Sequence, residues 1–290
     1  MQGRIIKGIG GFYYIYSMGN IYECKPRGKF RKDLKKPLVG DQVLFSYDEA
    51  TKQGSIEEIC ERKNELIRPV VSNVDQVLLV FAMADPKPNL NLLDRFIIWT
   101  RLQEVSTVLL FHKADLVSDN EKTEYRRIYE PAGFECLFVS SVSGDGRDDL
   151  KSLLKDRTTV IAGPSGVGKS TLINYLSPYA NMETGEISQK IKRGRHTTRH
   201  SEIFPIDENS FLVDTPGFTS LQLPELTPEE LEDYYPEFED YKNQCRFVGC
   251  SHINEPDCSV RQALEDGKFS RERFESYQSF YQELKSQKKY

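Results

Sequence analysis

The chain has 290 residues, of which 38% are hydrophobic and 29% charged, with a formal net charge of −5 at pH 7, a composition that suits a soluble globular protein able to bury one large core or two to three small ones. No apolar run approaches the roughly 18–20 residues that cross a bilayer, and the opening MQGRIIKGIGG has no apolar centre of the secretory kind. Membrane and secreted classes are therefore not expected, and a cytoplasmic location is.

The charge is unevenly spread. Residues 1–46 carry nine Lys/Arg against three acids, residues 187–200 add five basic residues and no acid, and residues 221–270 hold twelve acids against four Lys/Arg. Part of such a surface can bind a polyanion although the total is negative. In the first sixty-odd residues, short alternating runs (GFYYIYSM, NIYECKPR, DQVLFSY, GSIEEIC) are broken by Gly10-Gly11, Gly19-Asn20, Gly40-Asp41 and Gly54. That pattern predicts four or five antiparallel strands with tight turns, closed as a barrel of the OB type. Two readings stay open for it: a β module that packs on its neighbour, or an RNA-binding barrel using its basic excess and some of Phe12, Tyr13, Tyr14, Tyr16, Tyr22 and Phe30, most of which are expected in the core.

From Val74 apolar runs alternate with helix-length stretches, which predicts a mostly parallel α/β sheet. The runs cover residues 74–82, 106–111, 134–140, 158–163, 203–206 and 211–214, and Leu90, Leu93, Phe96, Ile97 and Thr100 mark one face of a helix between the first two. After about Leu221 the chain reads as helical. Thr227, Pro228 and Glu230 form a capping box, and Phe274, Tyr277, Tyr281 and Leu284 stripe a final helix.

Gly163-Pro164-Ser165-Gly166-Val167-Gly168-Lys169-Ser170-Thr171 stands between an apolar strand and a helix, the context of a phosphate-binding loop. Its glycines let backbone N–H groups face phosphate, Lys169 is placed for the β/γ oxygens, and the Ser170 hydroxyl suits Mg²⁺. FLVDTPG supplies Asp214 for Mg²⁺ through water and the Gly217 N–H for the γ-phosphate. Between them GRHTTR offers Thr197 or Thr198 as a second hydroxyl on Mg²⁺, in a Gly-interrupted stretch that reads as a switch loop or as an ordinary basic surface loop. Phe218 occupies the place where many GTPases carry a water-orienting glutamine, which predicts slow intrinsic hydrolysis. His196 is the nearest polar candidate for that catalytic task, and equally reads as a plain loop histidine or a partner contact.

Upstream, His112-Lys113-Ala114-Asp115 ends the 106–111 run and Ser140-Ser141 ends the 134–140 run. The first has the form N/T-K-x-D, in which the aspartate accepts from guanine, the lysine packs along the ring, and the second element offers backbone N–H to the base oxygen. His112 departs from the usual Asn or Thr. Both elements precede the phosphate loop, the order a circular permutation produces when the original termini lie close together. An ATP-using enzyme is the competing reading, and Asp115 speaks against it because adenine has no matching pair of donors. Cys245, Cys250, His252 and Cys258 form C-x4-C-x-H-x5-C. Three thiolates and an imidazole fill a tetrahedral Zn²⁺ with no position left for water, a structural site, whereas Cys24, Cys60 and Cys136 are scattered thiols.

The permuted order, the barrel before it and the Cys/His segment after it resemble the ribosome small-subunit-dependent GTPase A family over essentially the whole chain. GRHTTR, DTPGF and the cysteine spacing are the specific features; His112 is the departure. The resemblance implies an OB-type barrel over 1–66, a circularly permuted GTPase domain over 67–222 and a helical zinc-binding domain over 223–290. It further implies GTP/GDP with Mg²⁺ and one structural Zn²⁺, GTP hydrolysis stimulated by the 30S subunit in late assembly, 16S rRNA gripped by the barrel and the zinc domain, and a monomer. The alternative is an RNA-binding assembly scaffold whose nucleotide site switches its shape with little turnover.

Overall fold

The computed structural model describes residues 1–28, 30, 36–67, 69–180, 201–214 and 222–287. Strands β1 (Gln2–Ile9), β2 (Phe12–Ser17), β3 (Asn20–Pro26), β4 (Gln42–Asp48) and β5 (Gln53–Ile59) close a barrel in the order β1-β2-β3-β5-β4. Two details differ from the sequence reading. Gln2–Ile9 pairs with both β2 and β4 although its own pattern does not alternate cleanly, and β3 pairs with β5 in parallel, so the barrel is not wholly antiparallel. Its core is Ile5, Ile15, Cys24, Phe30, Val43, Phe45, Ile56 and Ile59. Tyr16 and Phe30 are buried, whereas Phe12, Tyr13, Tyr14 and Tyr22 are half-buried. A fully buried Asp41 accepts from Arg62 at 2.7 and 2.9 Å, from the Ser72 hydroxyl at 2.7 Å and from the Leu38 N–H at 2.8 Å; every lone-pair direction of the carboxylate is then used, which is what makes its burial tolerable. Short strands β6 (Glu65–Leu66) and β7 (Val71–Ser72) pair beyond it.

The central sheet is built from β8 (Gln76–Ala82), β9 (Ser106–His112), β10 (Glu135–Val139), β11 (Thr158–Ala162), β12 (Glu202–Pro205) and β13 (Phe211–Asp214), in the order β10-β9-β8-β11-β13-β12. β9 and β10 pair in parallel, as do β11 and β13, and β12 runs antiparallel at the edge. All residues of β8 and of β11 are buried, the mark of strands covered on both faces. Among the described residues the α-helices are α1 (Leu90–Leu102), α2 (Asp119–Tyr129), α3 (Arg147–Leu154), α4 (Lys169–Leu176), α5 (Ser259–Glu265) and α6 (Arg271–Gln287). Asn89 caps α1 through the Leu92 N–H, and Ser118 with Glu121 boxes the start of α2.

The chain forms two compact units, residues 1–78 with 147–218, and residues 79–146 with 219–290. In the first, the barrel packs on the sheet's β11–β13 side. Lys7 pairs with Glu202 at 2.7 Å, Arg4 bonds the Thr158 hydroxyl and lies 4.5 Å over the Phe211 ring, and Tyr16 meets Phe211 edge-on at 5.9 Å. In the second, a core of Ile98, Leu231, Tyr235, Phe238, Val260, Phe274, Tyr277, Phe280 and Leu284 joins the C-terminal segment to α1. The Thr227–Glu230 box is present, but the turn it starts, Pro228–Tyr234, is a 3₁₀ helix: a cap sets where a helix begins and not its pitch. Arg273 is buried in this core, donating at 2.6 Å to Asp94 and at 2.7 and 3.1 Å to Glu237. Burial opposes its charge, yet the two carboxylates outweigh burial and hold the guanidinium protonated well beyond its ordinary range.

Candidate functional site

In the first unit, Gly163 follows the last residue of β11, and Gly163, Gly166 and Gly168 take φ of 146°, 83° and 95°. These are values that side-chain-bearing residues rarely adopt, which is why glycine stands at all three. Val167 turns inward at 1% exposure while Ser165 and Gly166 are exposed, so one apolar residue anchors the loop and leaves its backbone outside. Lys169 opens α4, and its ammonium donates to the Gly163 and Pro164 carbonyls at 2.9 and 2.6 Å. Ser170 is half-buried in the first turn, where the helix dipole adds positive potential, and Thr171 points to solvent. Strand pairing sets Asp214, the last residue of β13, opposite Ile161 of β11, two positions before the loop begins. A hydroxyl, a carboxylate and helix N–H groups at adjacent strand ends form a set suited to Mg²⁺ and phosphate. His196, Thr197, Thr198, Gly217 and Phe218 lie outside the described residues.

In the second unit, His112 ends β9 at 4% exposure, opposite Val139 of β10, and its carbonyl accepts from the Met83 N–H at 2.8 Å. Lys113 turns the chain with φ 58° into a 3₁₀ turn of Ala114–Leu116, Ala114 is 2% exposed, and Asp115 faces solvent. The buried alanine fixes the turn and the aspartate, three residues past the strand, is left exposed to receive a ligand. The Lys113 ammonium donates to the Asp85 carbonyl. After β10, the fully buried Ser140 accepts on its hydroxyl from the Val142 and Ser143 N–H at 3.1 and 3.0 Å, and Gly146 at φ 69° closes the loop. A Cβ at Gly146 would stand 2.1 Å from the Phe138 carbonyl oxygen, so the loop accepts no larger residue there. The Ser140 side chain thus shapes its own loop, and the Ser141 hydroxyl lies 2.9 Å from His112 Nε2.

The same unit gathers Cys245, Cys250, His252 and Cys258, whose ligand atoms all lie within 4.8 Å of one another. His252 Nδ1 is 3.3 Å from Cys258 Sγ and 3.6 Å from Cys245 Sγ, and those two sulfurs are 3.8 Å apart. Tetrahedral Zn–S bonds of about 2.3 Å require sulfurs about 3.8 Å apart, so the donor set fits this ion. Glu232, which the sequence reading did not single out, holds His252 Nε2 at 2.6 Å and leaves Nδ1 toward the thiols; a carboxylate behind a ligating imidazole is a common support of zinc sites. The turn between ligands is set by Glu255, which accepts from the Ser251 hydroxyl at 2.6 Å and the Ser251, Ile253 and Asn254 N–H groups at 3.0–3.1 Å. Burial would raise the Glu255 carboxyl, but these hydrogen bonds outweigh it and lower it to about 2.

The barrel's basic residues are partly engaged within the chain. Besides Arg4 and Lys7, Arg27 pairs with Glu57 at 2.6 Å, and Lys25 lies 4.7 Å over the Phe12 ring. Among the described residues no helix is long and apolar enough to cross a membrane.

Residues 59–224 match the family described as RsgA GTPase, and residues 2–56 the RsgA N-terminal domain. The chain is 51% identical to a small ribosomal subunit biogenesis GTPase RsgA of Agathobacter rectalis, covering all of both chains, and 46% identical to one of Alkaliphilus metalliredigens, covering 100% of this chain and 99% of the relative. Among solved structures it resembles YloQ, a circularly permuted GTPase, at 36% identity and a TM-score of 0.78 over 99% of this chain and 95% of that one. It also resembles YjeQ from Thermotoga maritima, at 33% identity and a TM-score of 0.81 over 98% of each chain.

Proposed function

The chain belongs to the RsgA GTPase family and is a GTP hydrolase, and from that premise we propose that it works in biogenesis of the small ribosomal subunit as a switch whose turnover the subunit stimulates. The observation that carries the nucleotide-binding part of this reading is positional, and the small-subunit part follows the relatives' names. The base-binding and phosphate-binding motifs follow or end strands of parallel pairs, at β9, β10, β11 and β13, where α/β sheets bind ligands, and they do so in permuted order. The three-part division at 1–66, 67–222 and 223–290 belongs to the same proposal, as does a 16S rRNA contact made by the barrel and the zinc-binding segment of a monomeric cytoplasmic protein.

At the base, Asp115 accepts from guanine, Lys113 leaves the Asp85 carbonyl to lie along the ring, and the Ser140–Ser141 backbone donates to the base oxygen. At the phosphates, the N–H groups of residues 165–171 face the oxygens and Lys169 exchanges its loop carbonyls for the β/γ oxygens. Ser170, one of Thr197 and Thr198 and, through water, Asp214 would hold Mg²⁺, which would supply positive charge to the phosphate oxygens. The Gly217 N–H meets the γ-phosphate. With phenylalanine at 218, no side chain there can orient water, and His196, assigned from the sequence, or a group of the RNA-bearing partner takes that task on contact with the subunit. Cys245, Cys250, His252 and Cys258 hold a Zn²⁺ that stabilises the C-terminal segment.

Steady-state hydrolysis of GTP and ATP at fixed Mg²⁺, with and without purified small subunits, tests the proposal. A slow GTP-selective rate that rises with subunits is expected. A rate indifferent to subunits would remove the stimulation, and equal rates with ATP would remove the base assignment.

A further inference from the structure

We infer that His112 is a positioning residue for nucleotide selectivity, acting through its hydrogen bond to Ser141. The inference rests on the guanine-reading assignment of Asp115 and the 140–141 loop given above. That assignment needs two loops, one after β9 and one after β10, to hold a fixed separation so that both meet one base. The parallel ladder between the strands ends at the Val139–His112 pair. Beyond it no ladder pair joins the two segments, and the His112 Nε2 to Ser141 Oγ contact of 2.9 Å carries the link one step further, between residues 29 apart in the chain.

Each end of this link is itself fixed. The imidazole is 4% exposed, and its backbone is tied to Met83, so the ring is packed in place. Ser141 follows Ser140, whose hydroxyl is already committed to the Val142 and Ser143 N–H groups. The neighbouring hydroxyl is therefore the one turned to the other loop. A serine hydroxyl both donates and accepts, so the bond forms with either neutral tautomer of the ring. Asp115 stands three residues past His112 on a turn anchored by buried Ala114, and the 140–141 backbone is adjacent to the bonded hydroxyl. The link therefore acts on both base contacts at once and on neither phosphate contact.

The experiment uses the full-length protein and measures the binding of GDP, ADP and inorganic pyrophosphate to His112→Ala, Ser141→Ala, the double variant and His112→Gln. Each single variant is expected to weaken GDP about 3- to 10-fold, the range for one lost hydrogen bond, with ADP and pyrophosphate unchanged. The double variant is expected to be no weaker than the worse single, because the two changes remove one interaction. His112→Gln, whose amide nitrogen reaches about the place of Nε2, is expected to recover most of the loss. Additive losses in the double variant, or equal losses for GDP and pyrophosphate, would overturn the inference; Ser141→Ala keeps it open to refutation if His112→Ala fails to fold. Asp115→Asn, assayed with xanthosine diphosphate, separates the two levels. A gain there alongside additive His112 and Ser141 losses sinks the link and leaves the base reading intact, and no gain removes the base reading and the link with it.

Discussion

Arg273→Met should destabilise the second unit by about 3–5 kcal/mol, the usual consequence of removing one partner from a buried ion pair. The side chains of Arg273, Asp94 and Glu237 are each 1% exposed, so solvent neither screens the pair nor hydrates what is left behind. Methionine keeps most of the volume among Tyr235, Phe134 and Tyr129, whose rings lie 4.6, 5.6 and 5.8 Å from the guanidinium. The loss is then chiefly electrostatic: two carboxylates remain in the core without a cation. Set against typical domain stabilities of about 5–15 kcal/mol, the loss is large. Trp99, the single tryptophan, sits on α1 with its indole N–H donating to the Gln222 carbonyl at 2.8 Å, so urea unfolding followed by its fluorescence reports on this unit. The pH dependence separates charge from packing. Burial pushes the Asp94 carboxyl up, and the Arg273 charge opposes that push. A carboxyl whose folded pKa is raised costs nothing below the unfolded value near 3.9 and costs progressively more as pH rises through the folded one. Without Arg273 the deficit should be greatest at neutral pH and shrink on acidification toward pH 5. A loss under about 1 kcal/mol, or one equal at both pH values, would refute this account.

Lys169→Ala should lower GTP hydrolysis by about 100-fold or more, as loss of a charge-stabilising donor does, while the nucleotide-free unfolding midpoint hardly moves; turnover near the parent rate would reject the phosphate-loop assignment. Glu232→Gln should weaken Zn²⁺ binding about 10- to 100-fold in competition with a chromophoric chelator, and an unchanged affinity would show that His252 needs no carboxylate behind it. Burial raises the thiols of Cys24 and Cys136 to about 11 and about 12. Both therefore stay protonated at pH 8, where only thiolates react, and a disulfide reagent should find Cys60 alone among the cysteines outside the cluster. Three fast-reacting thiols in the zinc-loaded protein would contradict that burial.

The parts of this protein that the sequence by itself determined are those whose chemistry needs neighbours in the chain. Glycines at 163, 166 and 168 with Lys169 and Ser170 describe a phosphate loop because one turn of backbone must curl and a helix must start at once. Cys245 to Cys258 describes a metal site because four donors within fourteen residues can surround one ion. The apolar runs of β8 and β11 announced buried strands for the same local reason, and the permuted motif order made the central sheet legible. Tertiary structure alone decided the contacts between distant residues. Glu232 reaches His252 across 20 positions, His112 reaches Ser141 across 29, and Arg273 reaches Asp94 across 179. In the sequence Glu232 is one acid among twelve in an acidic stretch, and Asp94 reads as the polar face of a helix whose burial extends to Asp94 and Ile98. Periodicity reports which face is apolar, but a buried charge needs a partner from another element, and that partner is chosen by packing rather than by spacing.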